Sequence, residues 1–264
     1  MTAALSCRAV SRNFGALRAV DHVDLAVRPG ARHALIGPNG AGKTTLFRLI
    51  TGLLRVTDGQ IELDGRDITR LSEVRRARLG IGQTLQHASL FASMTAAQNV
   101  ALAVRRHERG VIPVVPVAER AVWTRVEALL AEVGLAGRGA VTAAALSHGE
   151  RKQLEIALAL ACRPRLLLMD EPAAGMSTAE RVALATLVRS LPESMTVLFV
   201  EHDLDLVFDL ASDVTVLSLG RVLLSGTPEE VRSSPEVRQA YLGSTRDEPL
   251  FLPRAPGDAD VSAG

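Results

Sequence analysis

Cysteine is scarce in this 264-residue chain: Cys7 and Cys162 stand far apart and form no C-x-x-C pair. That excludes a disulfide scaffold and a cysteine-built zinc site, and it predicts two reduced, packed thiols. Net charge is almost absent too, because 30 basic residues meet 29 acidic ones and leave +1. No bulk field then favours nucleic acid or an anionic membrane surface, so no nucleic-acid partner is expected. Lysine occurs only at Lys43 and Lys152, with arginine carrying the remaining positive charge. No window reaches the roughly 18 uninterrupted apolar residues of a membrane span. The stretch from Leu154 to Cys162 is broken by Glu155 and bounded by Arg163. Met1 to Val10 lacks the basic start and long apolar run of a secretory signal, which predicts a cytoplasmic protein joined to any membrane through a partner. No metal-ligand cluster or internal repeat stands out, so one copy of a single unit is expected.

What is present is an alternation of short apolar runs and helical patterns. Apolar residues make up 47% of the chain, enough for a sizeable core in one large or two small domains. Leu5 to Val10, Val23 to Val27, Ala31 to Ile36 and Gln60 to Leu63 read as short strands. Leu166 to Met169 and Val197 to Val200 are continuous apolar runs, the pattern of strands covered on both faces of a parallel sheet. Between them, Thr178 to Leu191 has helical spacing, so the three form a strand-helix-strand unit; Val214 to Leu217 and Arg221 to Ser225 look like a closing hairpin. The middle differs: roughly 88–162 reads as a mostly helical insertion, with helices around Val122 to Val133 and Gly149 to Ala161. Within it, Val111 to Ala118 is apolar but carries Pro113 and Pro116; a packed irregular loop and a contact surface for a membrane subunit both remain open. The domain is expected to span 3–243, with 244–264 a poorly ordered, proline-bearing tail.

The most informative segment is Gly37-Pro38-Asn39-Gly40-Ala41-Gly42-Lys43-Thr44-Thr45, which fits G-x-x-x-x-G-K-[ST] between a predicted strand and a predicted helix, Thr44 to Ile50. A chain this long carries such a pattern by chance on the order of once in a hundred. Its glycines let backbone N–H groups turn inward, and the helix start adds partial positive charge, so the loop suits a phosphate chain. Lys43 is expected to reach the β- and γ-phosphates and the Thr44 hydroxyl to sit on Mg²⁺. Asp170 and Glu171 end the buried run Leu166 to Met169, where isolated charge is costly, so a cation is the expected partner. Asp170 suits Mg²⁺, and Glu171 suits the water that attacks the γ-phosphate. Further on, Ser147 with Glu150 makes a capping box before the helix containing Arg151, Gln153 and Glu155, an explanation sufficient by itself.

Taken in order, these segments resemble the nucleotide-binding subunits of ATP-binding cassette transporters. Gly37 to Thr45 is similar to their Walker A loop, Leu146 to Glu150 to their signature, Leu166 to Glu171 to their Walker B strand, and His202 in Val200-Glu201-His202-Asp203 to their switch histidine. Gln86 matches the lid glutamine, linked to metal and catalysis, and Phe14 the ring that stacks on adenine. The resemblance implies an α/β P-loop NTPase with a RecA-like parallel-sheet core, an N-terminal antiparallel β subdomain and an inserted α-helical subdomain. It implies ATP and Mg²⁺ as ligands, and a second ATP-binding subunit whose Ser147, His148, Gly149 and Glu150 meet the γ-phosphate across a shared seam. It further implies transmembrane permease subunits at the cytoplasmic face of the membrane and, indirectly, a periplasmic or extracellular solute-binding protein. Thr84 to Phe91, Leu154 to Ile156, Glu171 to Met176, Val200 to Asp203 and Gly226 to Leu242 are similar to the branched-chain amino-acid uptake group.

The chain departs from the family pattern in three places. His148 stands where a glycine is usual, Glu150 where glutamine is common, and Ser177 where many members have an aspartate, which puts the rate of hydrolysis in question. Rival readings are a cassette ATPase for urea, amides or lipopolysaccharide export, a soluble cassette ATPase acting on nucleic acid or ribosomes, and a P-loop kinase or GTP switch. Neutral charge and the single cassette disfavour the nucleic-acid reading, and a kinase or GTP switch gives the signature, Gln86 and His202 no role.

Overall fold

The computed structural model describes residues 3–84, 90–108 and 119–242. Gln86, the 111–118 stretch and the 244–264 tail lie outside the described residues. The chain opens with a long hairpin, β1 (Leu5–Phe14) and β2 (Leu17–Val27), whose buried Leu5, Cys7, Val23 and Val27 lie on one side. Both strands run past the ends that hydrophobic patterning predicts. Register shifts between Cys7 and Val10 and between Val10 and Arg12 absorb the intervening Arg8, Ala9 and Ser11, so pairing continues where strict alternation fails.

Next come β3 (Arg32–Ile36), α1 (Lys43–Thr51), β4 (Asp58–Leu63) and the two-residue β5 (Arg66–Asp67). An antiparallel sheet results, in the order β2-β1-β4-β5. α2 (Glu73–Arg78) and β6 (Ile81–Gln83) lead to α3 (Ala96–Glu108), α4 (Glu119–Glu132) and α5 (His148–Ala161), which pack on one another through Val100, Val104, Val126, Leu130 and Leu154. Strand and helix then alternate: β7 (Leu166–Asp170), α6 (Thr178–Ser190), β8 (Thr196–Val200) and α7 (Leu204–Leu210). The hairpin of β9 (Asp213–Ser218) and β10 (Arg221–Gly226) and two short helices, α8 (Pro228–Ser233) and α9 (Pro235–Leu242), close the described chain.

The second sheet has the order β10-β9-β3-β8-β7-β6 and is parallel except for β10. Its central strands are apolar throughout because both faces are covered. On β7, Leu167 and Met169 join the helical cluster, whereas Leu166 and Leu168 join the cluster shared with β1, β2 and α1. Phe199 and Leu198 on β8 divide in the same way. Among the described residues no helix is long and apolar enough to cross a membrane.

One buried charge fixes the far end of α1. Arg76, 1% exposed, donates to the carbonyls of Leu49 at 2.6 Å, Ile50 at 2.7 Å, Thr69 at 2.9 Å and Leu71 at 3.0 Å. At the end of α1 the Leu49 carbonyl otherwise accepts only the Gly52 N–H, at 3.3 Å, and a cation there also meets the negative end of the helix dipole.

Candidate functional site

Ligands of parallel α/β sheets bind beyond the carboxyl ends of the strands, and β3 ends there in a loop that only glycine can make. Gly37 has φ 147° and Gly42 φ 101°. A Cβ at Gly37 would lie 2.1 Å from the Leu217 carbonyl oxygen, and one at Gly42 2.5 Å from that of Ala19. Because Gly42 is the N-cap of α1, no side chain closes the start of that helix. Such an open start keeps its backbone donors and dipole for an anion. Lys43, 6% exposed, curls over its own loop and donates to the Gly37 carbonyl at 2.6 Å and the Pro38 carbonyl at 3.1 Å. Burial lowers its pKa, against the pull of the Glu171 and Asp170 carboxylates.

β7 brings two carboxylates to the same end of the sheet. Asp170 is buried and its Oδ1 has no hydrogen-bond partner; burial first, then the charge of Glu171, raises its pKa. A buried oxygen of this kind, without a protein donor, fits a cation. Glu171 leaves the strand in the left-handed region at φ 50°, held by its N–H to the Val200 carbonyl at 2.9 Å. Strained backbone of this type clusters at functional sites. Its Oε1 lies 3.0 Å from His202 Nε2.

Glu201 supports both, and sequence reasoning gave it no role. It is 3% exposed; Oε1 accepts the Ala173 N–H at 2.7 Å and Oε2 accepts the His202 N–H at 3.1 Å. It thereby ties the turn after Glu171 to the turn that carries His202. Burial raises its pKa, and these backbone donors oppose the rise. The signal for it was a carboxylate directly after a buried apolar strand, the same signal that singles out Asp170.

Asn39, Gly40, Ala41, Gly42, Lys43, Thr44, Thr45, Glu171 and His202 line one cleft of about 370 Å³, together with Leu17, Arg18, Ala19, Leu219 and Gly220. Another cleft, of about 460 Å³, lies beside Ala4, Arg165, Pro192 and Thr196 at the opposite ends of the parallel strands and holds none of the predicted residues. Phe14 ends β1 with the Arg12 guanidinium 4.7 Å from its ring centroid, and it is not among the residues lining the phosphate-loop cleft.

Ser147, His148, Gly149 and Glu150 do not line that cleft either. The start of α5 is closed upon itself: the Glu150 N–H donates to Ser147 Oγ at 3.1 Å and the Ser147 N–H to Glu150 Oε2 at 2.8 Å. The Arg138 guanidinium bonds both Glu150 oxygens, at 2.7 and 3.3 Å, and it, with the Ser147 N–H, lowers the pKa of that carboxyl. His148 Nε2 donates to the Ala174 carbonyl at 2.9 Å, so the residue that departs from glycine bridges to the loop following Glu171. Ser177 caps α6, with its N–H and hydroxyl both donating to Glu180, at 2.8 and 2.9 Å. From the far end of the chain, the partly buried Tyr241 reaches the phosphate loop; burial raises the pKa of its phenol, and a hydrogen bond from the Gly37 N–H opposes that.

The sequence matches the model of the ABC transporter family over residues 20–174, and that of the branched-chain amino acid ATP-binding cassette transporter over residues 221–247. It is 38% identical over 248 residues to the high-affinity branched-chain amino acid transport ATP-binding protein BraF of Pseudomonas aeruginosa, covering 90% of this chain and 97% of BraF. To the corresponding protein LivG of Escherichia coli it is 36% identical over 250 residues, again covering 90% of this chain and 97% of LivG. Its fold is similar to a crystal structure of the ADP conformation of an ATP-binding cassette of an ABC transporter, with TM-score 0.81, 28% identity and coverage of 92% of this chain and 100% of the other. Matched across most of its length by sequence and by fold, the chain belongs to the ABC transporter family.

Proposed function

We propose that this protein is the ATP-binding and ATP-hydrolysing subunit of an ABC importer, working at the cytoplasmic face of the membrane to drive uptake of branched-chain amino acids. The chemistry rests on one observation: the uncapped start of α1, Lys43, and the Glu171–His202 pair meet at a single cleft, beside the buried Asp170. The cargo rests on the match over 221–247 and on the names of BraF and LivG.

In this reading the loop from Gly37 to Thr45 and the first turn of α1 take the triphosphate of ATP. Lys43 exchanges the neutral Gly37 and Pro38 carbonyls for β- and γ-phosphate oxygens, which accept more strongly. Thr44 and Asp170 would hold Mg²⁺, which supplies neutralisation of phosphate charge; the unpartnered Asp170 Oδ1 is the observation that fits it. Glu171 takes a proton from water as the water oxygen bonds to the γ-phosphorus and the bond to ADP breaks. His202 orients the Glu171 carboxylate through their 3.0 Å contact. Gln86 is assigned to reporting nucleotide state and Phe14 to flanking the base.

Since Ser147 to Glu150 stand off their own cleft, a second ATP-binding subunit would supply those contacts, in a homodimer or with a related chain. Closure of that pair would move the helical insertion and, through it, the permease subunits; a solute-binding protein would deliver cargo on the other side. Glu171→Gln tests the assignment, because the amide keeps size and polarity but takes no proton. ATPase turnover of the assembled transporter should fall by about 10²- to 10⁴-fold while ATP affinity persists and the loaded subunits accumulate as dimers. Unchanged turnover removes Glu171 from the reaction. Uptake of leucine, isoleucine and valine into vesicles with the cognate permeases tests the cargo; transport of a different solute in their place overturns it.

A further inference from the structure

Backbone pairing between β7 and β8 ends beside the cleft. Asp170 pairs with Val200, and the bond from the Glu171 N–H to the Val200 carbonyl is the last backbone rung between them. One step further the rung is made by a side chain. Glu201 reaches across to the Ala173 N–H with Oε1, at 2.7 Å, while its Oε2 holds the His202 N–H at 3.1 Å. The Asp203 N–H is a further donor to the same carboxylate. A charge that is 3% exposed is costly to bury, and the donors around it are backbone groups rather than a cation. An apolar residue would avoid that cost but leave the Ala173 and His202 N–H groups without this acceptor.

The contacts close a circuit. Glu171, Pro172 and Ala173 run along one side, and Glu201 and His202 along the other. The Glu201 side chain joins the two sides at one end, and the 3.0 Å contact of His202 Nε2 with Glu171 Oε1 joins them at the other. Beyond its first turn the His202 segment is anchored by Asp203, whose carboxylate accepts the Leu206 N–H at 3.1 Å and pairs with Arg181 at 2.6 Å. Through Glu201 that anchorage extends to the turn after Glu171, a residue that has already left the strand at φ 50°.

We propose that Glu201 is a positioning residue for ATP hydrolysis: by tying the two turns together beyond the end of the sheet, it sets the spacing of the Glu171 carboxylate and the His202 imidazole. This rests on the nucleotide reading given above. Glu201 is not among the residues lining the cleft, so it acts on the rate of hydrolysis and not on the affinity for ATP.

Glu201→Gln keeps the size of the side chain and one acceptor oxygen but cannot serve both turns. In the assembled transporter its kcat should fall by about 10- to 100-fold, the cost of a misplaced reacting group, while magnesium ATP binds the purified chain as tightly as before. In a His202→Ala background, where there is no pair left to space, the same change should cost only about two- to threefold. Glu201→Asp keeps the buried charge beside His202 but is one methylene short of Ala173 on the other strand, so it should share the loss of kcat even where the amide disturbs folding. Wild-type kcat in Glu201→Asp overturns the proposal. So does ATP affinity that falls in step with turnover, and so do losses that multiply in full in the double variant, since Glu201 would then act independently of the pair. Assembled wild type without ATPase activity overturns the nucleotide reading itself, whereas active wild type with an equally active Glu201→Gln overturns only the positioning role.

Discussion

α1 and α5 both begin at glycine-bearing turns that sequence motifs assign to phosphate, yet they are built in opposite ways. α1 starts on Gly42 with no side-chain cap, whereas α5 starts on Ser147 with a complete capping box, further clamped by Arg138. The α6 and α8 starts are closed by capping boxes as well. A helix start that is stable without ligand needs its own acceptors; one that forgoes them keeps its donors for something else. On the reading proposed above, α1 would take phosphate in its own cleft, while α5, already closed by its own cap, would dock on another subunit.

The contrast breaks most severely at Gly42. Gly42→Ala forces a Cβ to within 2.5 Å of the Ala19 carbonyl at φ 101°, so the loop must shift. A loss of about 2–3 kcal/mol in thermal or denaturant unfolding is expected, together with failure to bind ATP. Intact ATP binding would show that the open start of α1 is not the phosphate site.

Asp170 sharpens the same contrast through pH. Its folded pKa is raised, so the folded state holds a proton that the unfolded state has released, and stability is lost as pH rises from the ordinary carboxylate value of about 3.9. Asp170→Asn removes that titration. The variant should therefore be more stable than wild type without ligand at neutral pH, lose the difference in acid, and no longer gain thermal stability from Mg²⁺ with ATP. Parallel pH profiles of melting temperature in the two proteins would contradict the buried, unpartnered state of Asp170.

The smallest effect belongs to the closed start. Ser147→Ala removes a cap worth about 1 kcal/mol of stability. ATP affinity of the isolated chain should not change, whereas turnover of the assembled transporter should fall. A weakened isolated chain would mean that α5 contributes to its own cleft.

Legibility in the sequence followed burial. β3, β7 and β8 were readable because both faces are covered, which leaves unbroken apolar runs between turn residues. The second half of β1 was not, since Arg8, Ser11, Arg12 and Asn13 interrupt the alternation and bulges keep the strand going. β5, α2 and β6 were missed for another reason: they have two, six and three residues and carry no period of their own. Arg76 in α2 illustrates the limit, because nothing local distinguishes this fully buried arginine from Arg75 or Arg78 beside it. At the candidate site, the loop, Asp170 and Glu171 stand out by motif and spacing and His202 by resemblance, and the fold brings the loop, Glu171 and His202 to one cleft. The contacts of Glu201 and Tyr241 join chain segments distant in sequence, and only the fold brings them into reach.

Tyr241 lies within the 221–247 segment that marks the branched-chain group, and its phenol meets the backbone of the first residue of the phosphate loop. The segment that matches the branched-chain model is thus in touch with the loop proposed to take phosphate. A shift of α9 therefore has a direct path to the phosphate loop, although none of its residues lines the cleft.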